Sequence, residues 1–309
     1  MGEEQRWIPE DYWTENSRVP QPGETFYHYR LEELISDTHC GFVFVATDLN
    51  VDNKKCVKFT KRFKGSEERI ENEVQILRSI NHPHIIQLEF HEYLPPYMIS
   101  ATKYYSNGSL FGFMSVSYRE GFGDELTRQL FPQMLDAVNY LHKCGIWHRD
   151  IKLQNFLVDE WTPRKKTIVL ADFGFAKRFP EGTQSNEILG TKGYMAPEMF
   201  QPKATYDQSI DIWALGITFY NMLVFLRPLP NYAKRPVQFV SAASKGKFFM
   251  RYLNERGISH EAQQFFLFLC RPKPYERPSA ELALQSDWLC QEKPELEQSI
   301  TDIIMQPND

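Results

Sequence analysis

Residues 148–155 read HRDIKLQN and residues 171–174 read ADFG. The two stretches hold Asp150, Asn155 and Asp172, with Lys152 two positions after the first, between the apolar residues Trp147 and Phe156. Taken singly, these residues have ordinary explanations: Asp172 could cap a helix and Asn155 could occupy a turn. Whether they act as a set depends on what the rest of the chain supplies.

At 309 residues the chain exceeds the usual size of a single core, so two packed subdomains are expected. With 42% apolar, 14% aromatic and 24% charged residues it has the composition of a soluble globular protein with a sizeable core. A net charge of −5 argues against nucleic acid or an anionic membrane as the main partner. Cys40, Cys56, Cys144, Cys270 and Cys290 are odd in number and widely spaced, which suits reduced thiols and a cytoplasmic protein with nuclear access. The start, MGEEQRWIPEDYW, has no apolar leader, no apolar run reaches membrane-spanning length, and Arg6 stands where a myristoylation signal wants Ser or Thr.

Residues 1–25 are polar and proline-bearing and read as an extended arm. From Tyr27 to about Tyr105 the pattern is strand-like, with β-rich runs such as GFVFVAT, interrupted by a helix in SEERIENEVQILRSI. There Ile70, Val74, Leu77 and Ile80 fall at helical spacing, and Glu73 lies on that apolar face. A carboxylate turned inward needs a cationic partner. After YSNGS the chain becomes mainly helical. Leu130, Met134, Val138 and Leu141 share one face of a helix over 126–142, in which Pro132 must lie in the first turns or produce a kink. Short loops and strands fill 145–175, and helical patterns return from about Tyr206 to Trp288. Neither internal repeats nor low-complexity tracts are evident.

HRDIKLQN and ADFG, together with GTKGYMAPE ending at Glu198, Lys58 in KCVK, Glu73, DIWALG at 211–216 and Arg277, resemble the motif set of eukaryotic protein kinases, in the family's order over roughly residues 27–290. The resemblance implies a two-lobed α+β fold: an N-terminal arm (1–25), a kinase domain (26–290) divided into a β-rich lobe (26–105) and a helical lobe (106–290), and a short tail (291–309). It also implies Mg-ATP as phosphoryl donor, with ATP and Mg2+ bound in the cleft. Phosphoryl transfer needs positioning and charge neutralisation more than covalent chemistry. Asp150 would accept the proton of an incoming hydroxyl, Asn155 and Asp172 would hold magnesium, Lys58 would bridge the phosphates to Glu73, and Lys152 would face the transferring group. Glu198 and Arg277 would form a structural ion pair, and Asp211 a buried anchor for the catalytic loop.

The family's phosphate loop follows GxGxxGxV. Here SDTHCGFV, residues 36–43, keeps only Gly41 and Val43, with Ser36 and Thr38 in place of the first two glycines and Cys40 before the third. Forcing Ser36 or Thr38 into left-handed backbone geometry would cost roughly 1–2 kcal/mol each, and about 1.4 kcal/mol is tenfold in affinity. Both residues are also small enough for the loop to take another path. Near the expected adenine pocket, Cys56 replaces a small alanine and reads as a packed thiol rather than a redox switch, opposite Leu157 on the pocket floor. Thr102 precedes the hinge residues Lys103 to Tyr105. Oxidation of Cys40 is a weaker expectation.

Lys152 and Thr191 resemble the serine/threonine branch. Ser109 and Gln154 stand where relatives directed to basic substrates carry acids, so a preference for arginine is not expected. Glu187, eleven before Glu198, occupies a place where many kinases carry a phosphorylated threonine, and its carboxylate could supply part of that charge to Arg149. An exposed glutamate in a loop is the alternative, and Thr183 and Ser185 are candidate phosphosites. The expected activity is phosphoryl transfer from Mg-ATP to a protein Ser or Thr hydroxyl, with no nucleic-acid or membrane partner. The alternative is a pseudokinase acting as a binding or scaffold module, and transfer to a small molecule is disfavoured because GTKGYMAPE and DIWALG look like protein-substrate machinery. The tail after Trp288 is too short and acidic to resemble a calmodulin-binding segment.

Overall fold

A computed structural model of the chain describes residues 19–62, 65–201, 203, 205–225 and 247–290. The tail, and the arm up to residue 18, lie outside the described residues. The first third of the chain forms one antiparallel sheet of six strands: β1 (Thr25–Phe26), β2 (Tyr29–Thr38), β3 (Gly41–Asp48), β4 (Asn53–Lys61), β5 (Leu88–Leu94) and β6 (Tyr97–Lys103), in the order β1-β2-β3-β4-β6-β5. Successive side chains alternate between its faces. Phe42, Phe44 and Ala46 of β3 join Val57 and Phe59 of β4 and Tyr97, Ile99 and Ala101 of β6 in a small core. Edge-on ring contacts link Phe59 to Phe44 at 5.8 Å and to Tyr97 at 5.7 Å.

Opposite that core, the register places Val43 beside Lys58 and Ser100, and Val45 beside Cys56 and Thr102. Helix α1 (Glu67–Ser79) serves this second face. Glu67 and Glu68 in its first turn and Arg78 in its last suit the helix dipole, and Ile70, Ile76 and Leu77 are buried. Val74, expected on the apolar stripe, is half-buried, and Ile76 takes the deeper position.

From Leu110 onward the described chain is mainly helical, around a core continuous with α1. Its helices are α2 (Leu110–Ser117), α3 (Gly123–Lys143), α4 (Ser209–Leu223), α5 (Lys247–Glu255), α6 (His260–Leu269), α7 (Ala280–Leu284) and α8 (Asp287–Cys290). In α3, Leu130, Met134, Val138 and Leu141 are fully buried as their spacing predicts. Pro132 sits inside α3 rather than in its first turns, removing the amide that would bond the carbonyl of Arg128. Every residue of α4 from Ile210 to Leu223 is buried, which explains why its apolar residues run all round the helix instead of along one stripe. Two short ribbons complete the lobe, β7 (Ile146–Trp147) with β10 (Lys177–Arg178) and β8 (Phe156–Trp161) with β9 (Lys166–Leu170). They hold the loops carrying Asp150 and Asp172 under the sheet.

SDTHCGFV takes the alternative path. Strands β2 and β3 stay paired to the tip, Ser36 opposite Val43, Asp37 opposite Phe42 and Thr38 opposite Gly41, leaving His39 and Cys40 as the turn. Among residues 36–41 the only positive φ is that of Gly41, at 142°, so the left-handed cost considered for Ser36 and Thr38 does not arise. Gly41 is required for packing: a Cβ there would lie 1.8 Å from the carbonyl oxygen of Phe59. The tip is also tied to β4, whose Lys61 amide donates to the carbonyl of Cys40 at 2.8 Å.

Candidate active site

Lys58 projects from β4 and its Nζ donates to Glu73 Oε1 on α1 at 2.8 Å, which supplies the partner that the inward carboxylate requires. Burial opposes the charge on Lys58, but Glu73 and Asp172 together outweigh it and hold the ammonium's pKa above its ordinary value. Asp172 is exposed, adopts φ 60° and accepts a long bond of 3.4 Å from the Gly174 amide. Gly174 keeps this corner open, since a Cβ there would lie 3.3 Å from Asp172 Oδ1 and 3.8 Å from Glu73 Oε2.

Asp150 is buried, and both of its carboxylate oxygens are engaged. Oδ1 accepts from the amide and the hydroxyl of Thr191 at 3.0 and 2.7 Å, and Oδ2 accepts from Lys152 Nζ at 2.6 Å and Asn155 Nδ2 at 3.1 Å. Burial raises the pKa of this carboxyl, but the bonds from Lys152 and Thr191 prevail and hold it below the ordinary aspartate value. Lys152 also donates to the Thr191 hydroxyl at 2.8 Å, closing a triangle.

The loop is held from beneath by Asp211 at the start of α4. Its carboxylate, 1% exposed, accepts from the amides of His148 at 2.9 Å and Arg149 at 2.8 Å, with His142 Nε2 at 3.0 Å. Burial works against this charge, and the His142 bond leads the contacts that keep the pKa low. His148 closes the loop against the ADFG turn, its Nε2 lying 3.2 Å from the carbonyl of Ala171. Burial lowers its pKa, so the imidazole is neutral at physiological pH.

Asn155 donates through Nδ2 to the carbonyl and carboxylate of Asp150, leaving its side-chain carbonyl oxygen as the ligand atom. With the exposed carboxylate of Asp172 this makes a small set of hard oxygen donors. Such a set fits magnesium, which keeps several waters and takes one or two carboxylates plus substrate phosphates.

Val43, Cys56 and Thr102 lie on the sheet face that carries Lys58, and Leu157 of β8 is half-buried and pairs through its backbone with Ser109. Burial pushes the Cys56 thiol up to about 11, in keeping with a packed, unreactive sulfur. Ser36 and Thr38 share this face through the register, whereas Gly41 is filled by its contact with Phe59. The Lys103 side chain leaves the pocket, pairing with Asp159 on β8 and lying 5.4 Å from the Tyr105 ring. Tyr105 is half-buried beside it. Two residues complete the site that were not singled out as pocket or catalytic residues. Val45 is signalled by its place two residues from Val43 on one strand, and Thr191, noted only for its branch, holds Asp150 directly.

Around the site, Arg149 donates through Nε to the carbonyl of Phe175 at 2.7 Å and pairs with Glu187. Lys177 Nζ lies 3.4 Å from the other oxygen of Glu187, and the Tyr206 hydroxyl donates to the Glu187 carbonyl at 2.5 Å. The Arg149 bond leads the contacts that hold the Glu187 pKa below its ordinary value. Ser185 is buried and pairs with Tyr206 through its backbone, while Thr183 is half-buried and lines a cavity of about 490 Å³ with Trp147 and Phe179. Glu198 and Arg277 form a buried bidentate pair, with bonds of 2.6 and 2.7 Å. Ser109 caps α2 by accepting from the Gly112 amide at 3.1 Å, and Gln154 is exposed.

The protein kinase domain profile matches residues 29–289. Rat calcium/calmodulin-dependent protein kinase type 1B is 32% identical over 236 residues, covering 76% of this chain and 66% of that protein. The serine/threonine-protein kinase zyg-8 of Caenorhabditis elegans is 30% identical over 266 residues, 84% of this chain and 33% of its own length. Calcium/calmodulin-dependent protein kinase cmkA of Emericella nidulans is 30% identical over 233 residues, 74% of this chain and 54% of its own. The matched region therefore spans between a third and two thirds of the length of these relatives. With the motif residues gathered around one cleft and a profile match over most of its length, the chain belongs to the protein kinase domain family.

Proposed function

We propose that this chain is a serine/threonine protein kinase that transfers the γ-phosphoryl group of Mg-ATP to a protein hydroxyl. The observation that carries the reading is the Asp150 carboxylate, held by Thr191, Lys152 and Asn155 at the floor of a cleft whose roof presents the Lys58–Glu73 pair. Asp150 orients the incoming Ser or Thr hydroxyl and takes its proton as the oxygen bonds to the γ-phosphorus. The bond from that phosphorus to the β,γ-bridging oxygen breaks, and ADP leaves with the electron pair. Lys152 neutralises charge on the transferred group, and Lys58, fixed by Glu73, holds the nucleotide phosphates. Asn155 and Asp172 would hold magnesium, which when bound neutralises phosphate charge. Phosphate transfer to a generic protein substrate, compared with Asp172→Asn, tests the activity; equal background in both would overturn it. The cysteine pattern supports a cytoplasmic setting, and the kinase domain is assigned to residues 26–290 between the arm and the tail.

The site also supports a catalytic loop ordered without a phosphate on the segment between Asp172 and Glu198. Glu187 gives Arg149 and Lys177 a fixed anion. Because its pKa is depressed, the charge is complete above the ordinary glutamate range and is lost only as pH falls through the lower folded value. Glu187→Gln keeps the shape and removes the charge, so kcat is expected to fall about tenfold, the equivalent of about 1.4 kcal/mol. Protein made without activating kinases is the sample to assay. An unchanged kcat, with unchanged Tm, would sink this role.

A further inference from the structure

The family pattern has glycines at two positions where this chain has hydroxyls, and the strand register decides which way those hydroxyls point. Directly paired residues on neighbouring strands share a face of the sheet. Ser36 pairs with Val43 and Val43 with Lys58, so Ser36 lies in the same cross-strand row as the lysine of the cleft. Two strand spacings of about 4.8 Å separate their backbones, a gap that an extended phosphate chain and a lysine side chain can bridge. Thr38 lies in the next row toward the tip, paired with Gly41, which in turn pairs with Thr60. Asp37 pairs with Phe42 and belongs to the opposite face, so its carboxylate does not oppose phosphate in the cleft.

The hairpin tip is tied to β4 through Cys40 and Lys61, and its one glycine is committed to packing against Phe59. The close backbone approach that a glycine-rich flap gives to phosphate is thus restricted here, and the cleft face offers side-chain donors instead. The half-buried hydroxyl of Ser36 has no hydrogen-bond partner among the described residues. That of Thr38 makes a long bond of 3.3 Å to the Gly41 carbonyl, which an anionic acceptor would displace.

We infer that Ser36 and Thr38 bind the phosphates of a nucleoside di- or triphosphate through their side-chain hydroxyls, taking over the contact that the missing glycines would have allowed. The inference rests on the kinase reading above, and the ligands in the test separate the two. Calorimetry on the full chain measures Mg-ATP, Mg-ADP and adenosine against the wild type, the double variant Ser36→Ala/Thr38→Val, the double variant Ser36→Gly/Thr38→Gly and Thr38→Ser. Both double variants are expected to bind Mg-ATP and Mg-ADP at least about tenfold more weakly, with adenosine unchanged, and Thr38→Ser is expected to stay near wild type. Unchanged nucleotide affinity in the Ala/Val variant would overturn the inference while leaving the kinase reading intact. So would tighter binding in the glycine variant, or a parallel loss of adenosine. A wild type that binds none of the three overturns the nucleotide reading itself.

Discussion

Asp150→Asn is expected to lower kcat by about 100-fold or more while leaving Mg-ATP affinity close to wild type, the range for removing a general base. The substitution is nearly isosteric, and the Thr191 amide and hydroxyl, which both donate to Oδ1, can still bond to an amide oxygen at that position, while the new amide nitrogen meets the donors Lys152 and Asn155. What is lost is the negative charge that receives the proton and that Lys152 faces at 2.6 Å. The depressed pKa of Asp150 adds a second expectation. In the free enzyme the carboxylate stays ionised through the ordinary aspartate range, so the acid limb of kcat/KM attributable to this group lies below that range. Single-turnover transfer at saturating Mg-ATP measures the first effect directly. A kcat within a few fold of wild type would remove Asp150 from the role of base.

Arg277→Met is expected to produce the largest loss of stability. The guanidinium side chain is fully buried, meets Glu198 through two bonds, donates to the Arg271 carbonyl at 2.8 Å and lies 5.1 Å from the Trp213 ring. Removing it leaves the Glu198 carboxylate buried without its counter-charge, which costs about 3–5 kcal/mol. For a domain of this size each kcal/mol shifts Tm by about 2–4 °C, so a fall of about 10 °C is expected in thermal unfolding. The double variant Glu198→Met/Arg277→Met removes the orphaned charge and should regain part of the loss. A double variant no more stable than Arg277→Met would show that packing, not charge, dominates.

How far the site was legible in advance differs from residue to residue, for physical reasons. Glu73 could be placed because the helical period fixes which side of α1 it occupies, and an inward carboxylate demands a cation; Lys58 supplies it. The Arg149–Glu187 pair was implied by the kinase resemblance, which places Glu187 where relatives carry a phosphorylated threonine, with an exposed glutamate as the alternative; Glu187 is exposed yet bound to Arg149. The path of SDTHCGFV could not be read. Ser and Thr allow either backbone, and the choice is made by contacts distant in sequence: Phe42 in the upper core and the Phe59 carbonyl against Gly41. Alternation in GFVFVAT gives no help, because β3 is apolar on both faces, with Phe42, Phe44 and Ala46 on one and Val43 and Val45 on the other. The burial of Ser185 was equally hidden, since it depends on pairing with Tyr206, 21 residues further along the chain. One boundary among the described residues moved slightly: α3 begins at Gly123 rather than near Leu126.

The grip of Asp211 on the catalytic loop reaches beyond geometry. His148 and Arg149 are outside any helix or strand, where amide protons ordinarily trade with solvent deuterium through small local fluctuations. Here the two amides end on a carboxylate rooted in the fully buried helix α4. Releasing them requires unlocking that helix, so they should exchange as slowly as the amides in the middle of α4, in one cooperative opening. The catalytic loop thereby inherits the persistence of the lobe's core, and the peptide that carries Asp150 is expected to be among the last to take up deuterium.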